Sequence, residues 1–244
     1  MEFTNEFPEY LKLDQQVPKE SNVALFNASL TGNVKEVAKI LKAGDANPNF
    51  FFNPADCKSS LMVACEINNV EIANLLLSAG AAPDILNLVT RYTALHYAVV
   101  RDGVEVVRLL LNHGANINHQ NAYGNSALHI AASEGSLQCL ALLLESNANV
   151  SSVNNKRSTP LHFACYNHKN PLSVIKLLIE KGANIEAVDH RGLTPLLVAC
   201  VNGRDDVIAY LLSQGCDSNV VDVDGRSMKN ILEFNGHHAL KNRF

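Results

Sequence analysis

The chain has 244 residues, 47% of them hydrophobic, which is enough to bury the core of one or two ordinary domains. Charged residues make up 18% and the formal net charge is −4, so no global field favours DNA, RNA or anionic lipid. Apolar runs such as Leu75–Leu77 fall far short of the roughly 18 residues that span a bilayer, and the acidic N-terminus lacks the basic and apolar regions of a signal peptide. A soluble, intracellular chain, cytoplasmic or nuclear, is the expectation.

Residues 1–20 carry no repeated pattern and read as an N-terminal extension. From Ser21 onward one unit recurs. Its first copy, 21–57, keeps Leu25, Ala28, the turn Gly32-Asn33 and a terminating Gly44. The next copies open on Ser59-Ser-Leu-Met-Val-Ala64, Thr93-Ala-Leu-His-Tyr-Ala98, Ser126-Ala-Leu-His-Ile-Ala131, Thr159-Pro-Leu-His-Phe-Ala164 and Thr194-Pro-Leu-Leu-Val-Ala199. Their first residues are spaced by 34, 33, 33 and 35. A second marker, Gly44, Gly80, Gly114, Asn147, Gly182 and Gly215, keeps step at 36, 34, 33, 35 and 33. The copies are therefore 21–57, 58–91, 92–124, 125–157, 158–192 and 193–225, followed by a degenerate cap, 226–244, in which Lys229 takes the usual leucine position and Ile231, Leu232, Phe234 and Leu240 are expected to close the core.

The pattern has a physical reading. Thr or Ser caps a first helix, Pro160 and Pro195 sit where no amide donor is needed, and Leu with Ala buries one face. After a short turn, a second helix carries apolar residues at helical spacing, as in Val106, Leu109 and Leu110. Gly, or Asn147, ends it in the left-handed conformation. In the 158–192 copy two extra residues lengthen the turn, and Asn170-Pro171 is expected to start its second helix abruptly.

A period near 33 with Thr-Pro-Leu-His-x-Ala, together with Gly114-Ala-Asn-Ile-Asn118 and Gly182-Ala-Asn-Ile-Glu186, resembles the ankyrin-repeat family from about Ser21 to the end. The resemblance implies an all-α solenoid of helix–turn–helix units with projecting hairpin fingers. It also implies a non-catalytic interaction scaffold, whose finger tips and exposed first-helix side bind a protein or peptide. Two other readings are a regulatory or targeting domain of a larger enzyme or channel, and a self-associating module built on Phe50–Phe52.

The chemistry-bearing residues fit that scaffold. His96, His129 and His162 recur in register with no carboxylate or thiol fixed beside each, so the resemblance makes them hydrogen-bonding braces, replaced elsewhere by Met62 and Leu197. Cys65, Cys165 and Cys200 share an Ala-Cys position that reads as small and buried. Cys57, Cys139 and Cys216 fall elsewhere, with no C-x-x-C spacing. Asp205-Asp206 opens a second helix and Asp222 with Asp224 lies in a finger turn. No phosphate-binding loop, metalloprotease or nucleophile-elbow motif occurs, so neither an enzyme nor a cofactor or metal is expected.

Partner-binding candidates are positions that the repeat does not use for packing. The 44–59 finger is longer than the later ones and contains Phe50, Phe51 and Phe52, either a lid or a binding anchor. Arg91, Lys156, Arg157, His190, Arg191 and Arg226 fall in the fingers as a basic ridge suited to an acidic peptide, and Tyr123 is a further partner-binding candidate. The exposed first-helix positions read Leu30, Ile67, Val100, Tyr166 and Val201, with Ser133-Glu134 in the remaining copy. A monomer is expected.

Overall fold

Ser59, Thr93, Ser126, Thr194 and Ser227 each stand in extended backbone just ahead of a helix. Their hydroxyls meet the first-turn amides or the side chain three residues on, as Ser59 does with the Met62 amide and Thr194 with the Leu197 amide. The computed structural model describes residues 19–51, 58–166 and 171–241. Its helices run in chain order as α1 (Glu20–Leu30), α2 (Val34–Ala43), α3 (Ser60–Glu66), α4 (Val70–Ser78), α5 (Ala94–Val100), α6 (Val104–Asn112) and α7 (Ala127–Glu134). The second half continues as α8 (Leu137–Glu145), α9 (Pro160–Tyr166), α10 (Pro171–Glu180), α11 (Pro195–Val201), α12 (Asp205–Ser213), α13 (Met228–Phe234) and α14 (His238–Lys241). Pro160, Pro171 and Pro195 each begin a helix, as a residue without an amide donor should.

Odd-numbered helices pack on one another in sequence and even-numbered helices do the same, so each hairpin touches its neighbours along one line. The repeated leucine forms the spine: Leu25, Leu61, Leu95, Leu128, Leu161 and Leu196 are all buried. Truncating one of them, Leu128→Ala for instance, removes packing worth about 2–5 kcal/mol. Cys65, Cys165 and Cys200 are equally buried, and Cys139 and Cys216 join them as free thiols. Burial pushes the Cys200 thiol up to about 12 and Cys216 to about 11. Cys57 lies outside the described residues.

Left-handed residues end the second helices at Gly44, Gly80, Gly114, Asn147, Gly182 and Gly215. Between the hairpins lie the fingers, in which only isolated bridges, Phe51 to Ser59 and Val221 to Ser227, have strand character among the described residues.

The last pair departs from the sequence expectation. Lys229 is exposed while Met228, Ile231 and Leu232 are buried, and Leu240 packs partly on the core. Phe234, expected in that core, is instead 77% exposed. It is the last residue of α13, and its ring lies 5.8 Å from the Arg226 guanidinium at the rim of a cleft.

Candidate functional site

The first helices end on one exposed column. Leu30, Val100, Glu134, Tyr166 and Val201 are the last residues of α1, α5, α7, α9 and α11, and Ile67 directly follows α3. Leu30, Ile67, Val100 and Tyr166 are exposed, Tyr166 most of all at 61%, and Glu134 is half-buried. Val201 differs from expectation. It is half-buried against the core, because the seventh hairpin stacks over α11.

The fingers are built on one organising side chain each, buried in Asn121, Asp189 and Asp222 and half-buried in Asn154. Asn121, Asn154, Asp189 and Asp222 place Oδ1 where it accepts from the amides two and four residues ahead, at 2.8–3.0 Å. The amide of each also donates to the carbonyl four residues on. Asn87 organises a looser version, accepting from the amides of Val89 and Thr90. These loops then join: the amides of Ala122, Asn155, His190 and Val223 donate to the carbonyls of Thr90, Tyr123, Lys156 and Arg191 in the preceding fingers. The residue before each loop's end is left-handed, with Gly124 at φ +76° where an added Cβ would come within 2.6 Å of the Asn155 nitrogen. Arg91 and Arg157 occupy that position in their fingers at φ 54° and 59°, a conformation that favours glycine.

The three histidines fasten each first helix to the finger that follows. Nδ1 of His96, His129 and His162 accepts the amide of Thr93, Ser126 and Thr159, which puts the ring proton on Nε2. Nε2 then donates to the carbonyls of Asn125, Ser158 and Leu193 at 3.0–3.1 Å. Burial drives His96 and His129 down to about 4 and lowers His162 as well, so all three are neutral with both nitrogens engaged near pH 7. The brace inferred from the family resemblance is therefore present, and it spans two repeats.

First-helix ends and fingers enclose a groove of about 380 Å³ over the fourth to sixth hairpins. Its floor is Ser133, His162, Phe163, Tyr166 and Val198, and its finger wall is Lys156, Ser158, Asp189 and Arg191. A smaller cleft of about 170 Å³ continues it, between Arg191, Leu193, Val201, Arg226, Ile231, Phe234 and Asn235. Of the residues singled out in the sequence, Lys156, Tyr166, Arg191, Val201 and Arg226 converge here. Ile67, Arg91, Val100, Tyr123, Glu134, Arg157 and His190 line neither cleft. Phe50 and Phe51 are half-buried at the other end of the stack, and Phe52 lies outside the described residues.

The uniform basic ridge is corrected by the geometry. Arg226 sits 2.6 Å from Asp222 and 3.0 Å from Asp224, and Arg191 sits 3.4 Å from Asp189, so local carboxylates answer both cations. Burial alone would raise Asp222, but hydrogen bonds from the Arg226 guanidinium and from the Arg226 and Asp224 amides outweigh it and hold the carboxyl below its ordinary 3.8. The His190 ring bonds to the Lys156 carbonyl. Arg91, Lys156 and Arg157 are exposed, and no ion pair holds them among the described residues. Sequence reasoning missed Phe163, Ser158 and Asp189 as groove residues. Their signal was present, since each lies beside a motif position, but only the stacking of successive repeats brings them to one cleft.

A line of helical hairpins with braced fingers and an open groove along them defines a repeat solenoid of the kind that presents an extended surface. A family model described as "Ankyrin repeats (3 copies)" matches residues 61–154 and 147–222, and the chain belongs to the ankyrin-repeat family. That fold is generally a protein–protein interaction module. An ankyrin repeat protein of fowlpox virus (strain NVSL) is 42% identical over 87 residues, 36% of this chain and 19% of the viral protein. The transient receptor potential channel pyrexia of Drosophila melanogaster is 36% identical over 101 residues, 41% of this chain and 10% of the channel. The chain thus spans under a fifth of the length of either relative. The ankyrin repeat domain of human ASB11 superposes with a TM-score of 0.76 at 26% identity, covering 89% of this chain and 96% of that domain. No helix among the described residues is long and apolar enough to cross a membrane.

Proposed function

We propose that the chain is a monomeric, non-catalytic adaptor whose groove over the fourth to sixth hairpins binds an extended protein segment carrying carboxylate and apolar side chains. The observation that supports this most directly is the juxtaposition of Lys156, an exposed cation held by no ion pair among the described residues, with Phe163 and Tyr166 of the floor in one cleft. Aromatic side chains supply anchoring area, and an exposed cation at the rim steers and orients an acidic ligand. Backbone amides at the finger tips are engaged within their own loops or, one per finger, by the preceding finger, so recognition falls to side chains.

The test is selection of displayed peptides on the full chain, on Lys156→Glu and on Tyr166→Ala. Enrichment of acidic peptides with aromatic or aliphatic residues, lost about tenfold in affinity by either substitution at unchanged melting temperature, is the expected result. Equal selection by all three proteins would remove the groove assignment. A second reading, an ankyrin segment regulating or targeting a larger enzyme or channel, draws on the match to a stretch of the pyrexia channel. The coding sequence adjoining residues 1–244 tests it, an enzyme or channel domain in the same frame being the supporting outcome.

A further inference from the structure

The groove's chemistry has a counterpart in the chain itself. Within residues 2–10 an acidic residue is followed by an aromatic one three times: Glu2-Phe3, Glu6-Phe7 and Glu9-Tyr10. Residues 1–18 hold four carboxylates, Glu2, Glu6, Glu9 and Asp14, against the one cation Lys12. The groove offers the complement: Lys156, exposed and held by no ion pair among the described residues, in one lining with Phe163 and Tyr166.

Reach is sufficient. From α1 to α9 the stack takes four steps between first helices, α1 to α3, α5, α7 and α9. Neighbouring helices pack about 8–10 Å apart, so the span is roughly 40 Å. Phe7 is twelve residues from Lys19, where the described chain begins. An extended chain covers about 3.3–3.6 Å per residue, or roughly 40 Å over that length, and Phe3 adds four residues more. Glu9-Tyr10 falls short of α9, whereas Glu2-Phe3 and Glu6-Phe7 arrive at it.

We infer that the groove's occupant in the free protein is the chain's own segment Glu2–Phe7, bound in cis, with the carboxylates at Lys156 and the aromatic rings against Phe163 and Tyr166. This rests on the proposed groove and names its resident ligand. A partner segment then binds by displacing residues of the same chemistry, and the tether makes that displacement the step that sets apparent affinity. Tethering selects this occupant over the same segment of a second copy, because it supplies a high effective concentration without any added contact.

The test uses the full chain carrying Cys57→Ser and a nitroxide on Asn5→Cys. The other five thiols are buried, so labelling is confined to that site. Selective broadening of the Lys156, Phe163 and Tyr166 amide signals, abolished by Lys156→Glu, is the expected result. Broadening confined to α1–α4, or none, overturns the inference. Broadening that appears only when labelled and isotope-enriched chains are mixed also overturns it, by placing the contact between two copies. Replacing Glu2, Glu6 and Glu9 with Lys should raise the affinity of the full chain for a library-selected acidic peptide about tenfold. If that affinity is unchanged while Lys156→Glu still weakens peptide binding, the cis occupant fails and the groove reading stands.

Discussion

The fingers at Asn121 and Asn154 and those at Asp189 and Asp222 share one backbone turn, closed by the same side-chain oxygen on the same two amides. They differ in one atom of the organising residue, an amide nitrogen in the first two and a second carboxylate oxygen in the others. That oxygen draws in Arg191 and Arg226. Over Asn154, Lys156 and Arg157 stay unpaired among the described residues. The charge that a finger shows to a ligand is therefore set by the residue beneath the loop as much as by the tip, and the groove has a free cation on one wall and a compensated one on the next.

The fingers braced by a histidine, the Asp189 finger among them through His162 and the Leu193 carbonyl, should also fail differently in acid from the unbraced Asp222 finger, and this is the largest effect expected. His96 and His129 hold the Asn121 and Asn154 fingers through the Asn125 and Ser158 carbonyls, and burial holds both histidines near 4 against an ordinary 6.5. The unfolded chain binds those protons first, so stability is complete above pH 6.5 and falls as pH drops toward 4, by roughly 3 kcal/mol for each ring. The Asp222 finger follows Leu197, which cannot brace it, and its carboxyl is lowered from 3.8. Its contribution is present above that pH and is lost only below it. Urea denaturation between pH 7 and 4 should show the first loss, and His129→Gln should reduce its slope. A flat profile above pH 4 would contradict the neutral-brace account.

Removing the organising side chain comes next. Asp222→Ala leaves two amides without their acceptor and the Arg226 guanidinium with Asp224 alone, and should cost about 3 kcal/mol in urea melts, whereas Asn121→Ala, with no cation to strand, should cost about 2 kcal/mol. Equal losses would mean that the Arg226 pair adds nothing. Arg157→Gly should act in the opposite direction and stabilise by about 1 kcal/mol, since only the arginine pays for a left-handed backbone. The smallest effect on stability is expected of Asp189→Asn, which preserves both loop hydrogen bonds and converts one kind of finger into the other. Its melting should shift by under about 1 kcal/mol, while the released Arg191 raises affinity for an acidic peptide, read by calorimetry.

Much of the fold is written in local sequence. Hydroxyl caps, the leucine spine, helix-starting prolines and terminating glycines each act within a few residues, so one copy states its own hairpin. What was not legible depends on the neighbouring copy. Val201 is half-buried because α13 stacks beside α11, and Phe234 is exposed because it ends its helix at a cleft rim. Asn87, Asn121, Asn154, Asp189 and Asp222 look like ordinary turn residues in sequence, yet each closes a loop whose next rung lies in another repeat. The basic tips were visible as residues, but their pairing was not. Whether Arg191 is compensated is decided by the orientation of a carboxylate two residues away within a closed turn.

The central claim is that Lys156, over the Phe163 and Tyr166 floor, reads acidic side chains of a bound segment. Calorimetric titration of one library-selected acidic peptide into the full chain and into Lys156→Glu tests it most directly. The account predicts about tenfold weaker binding by the variant, with a salt dependence that the variant loses, at unchanged melting temperature. Equal affinity and equal salt dependence in the two proteins would contradict it.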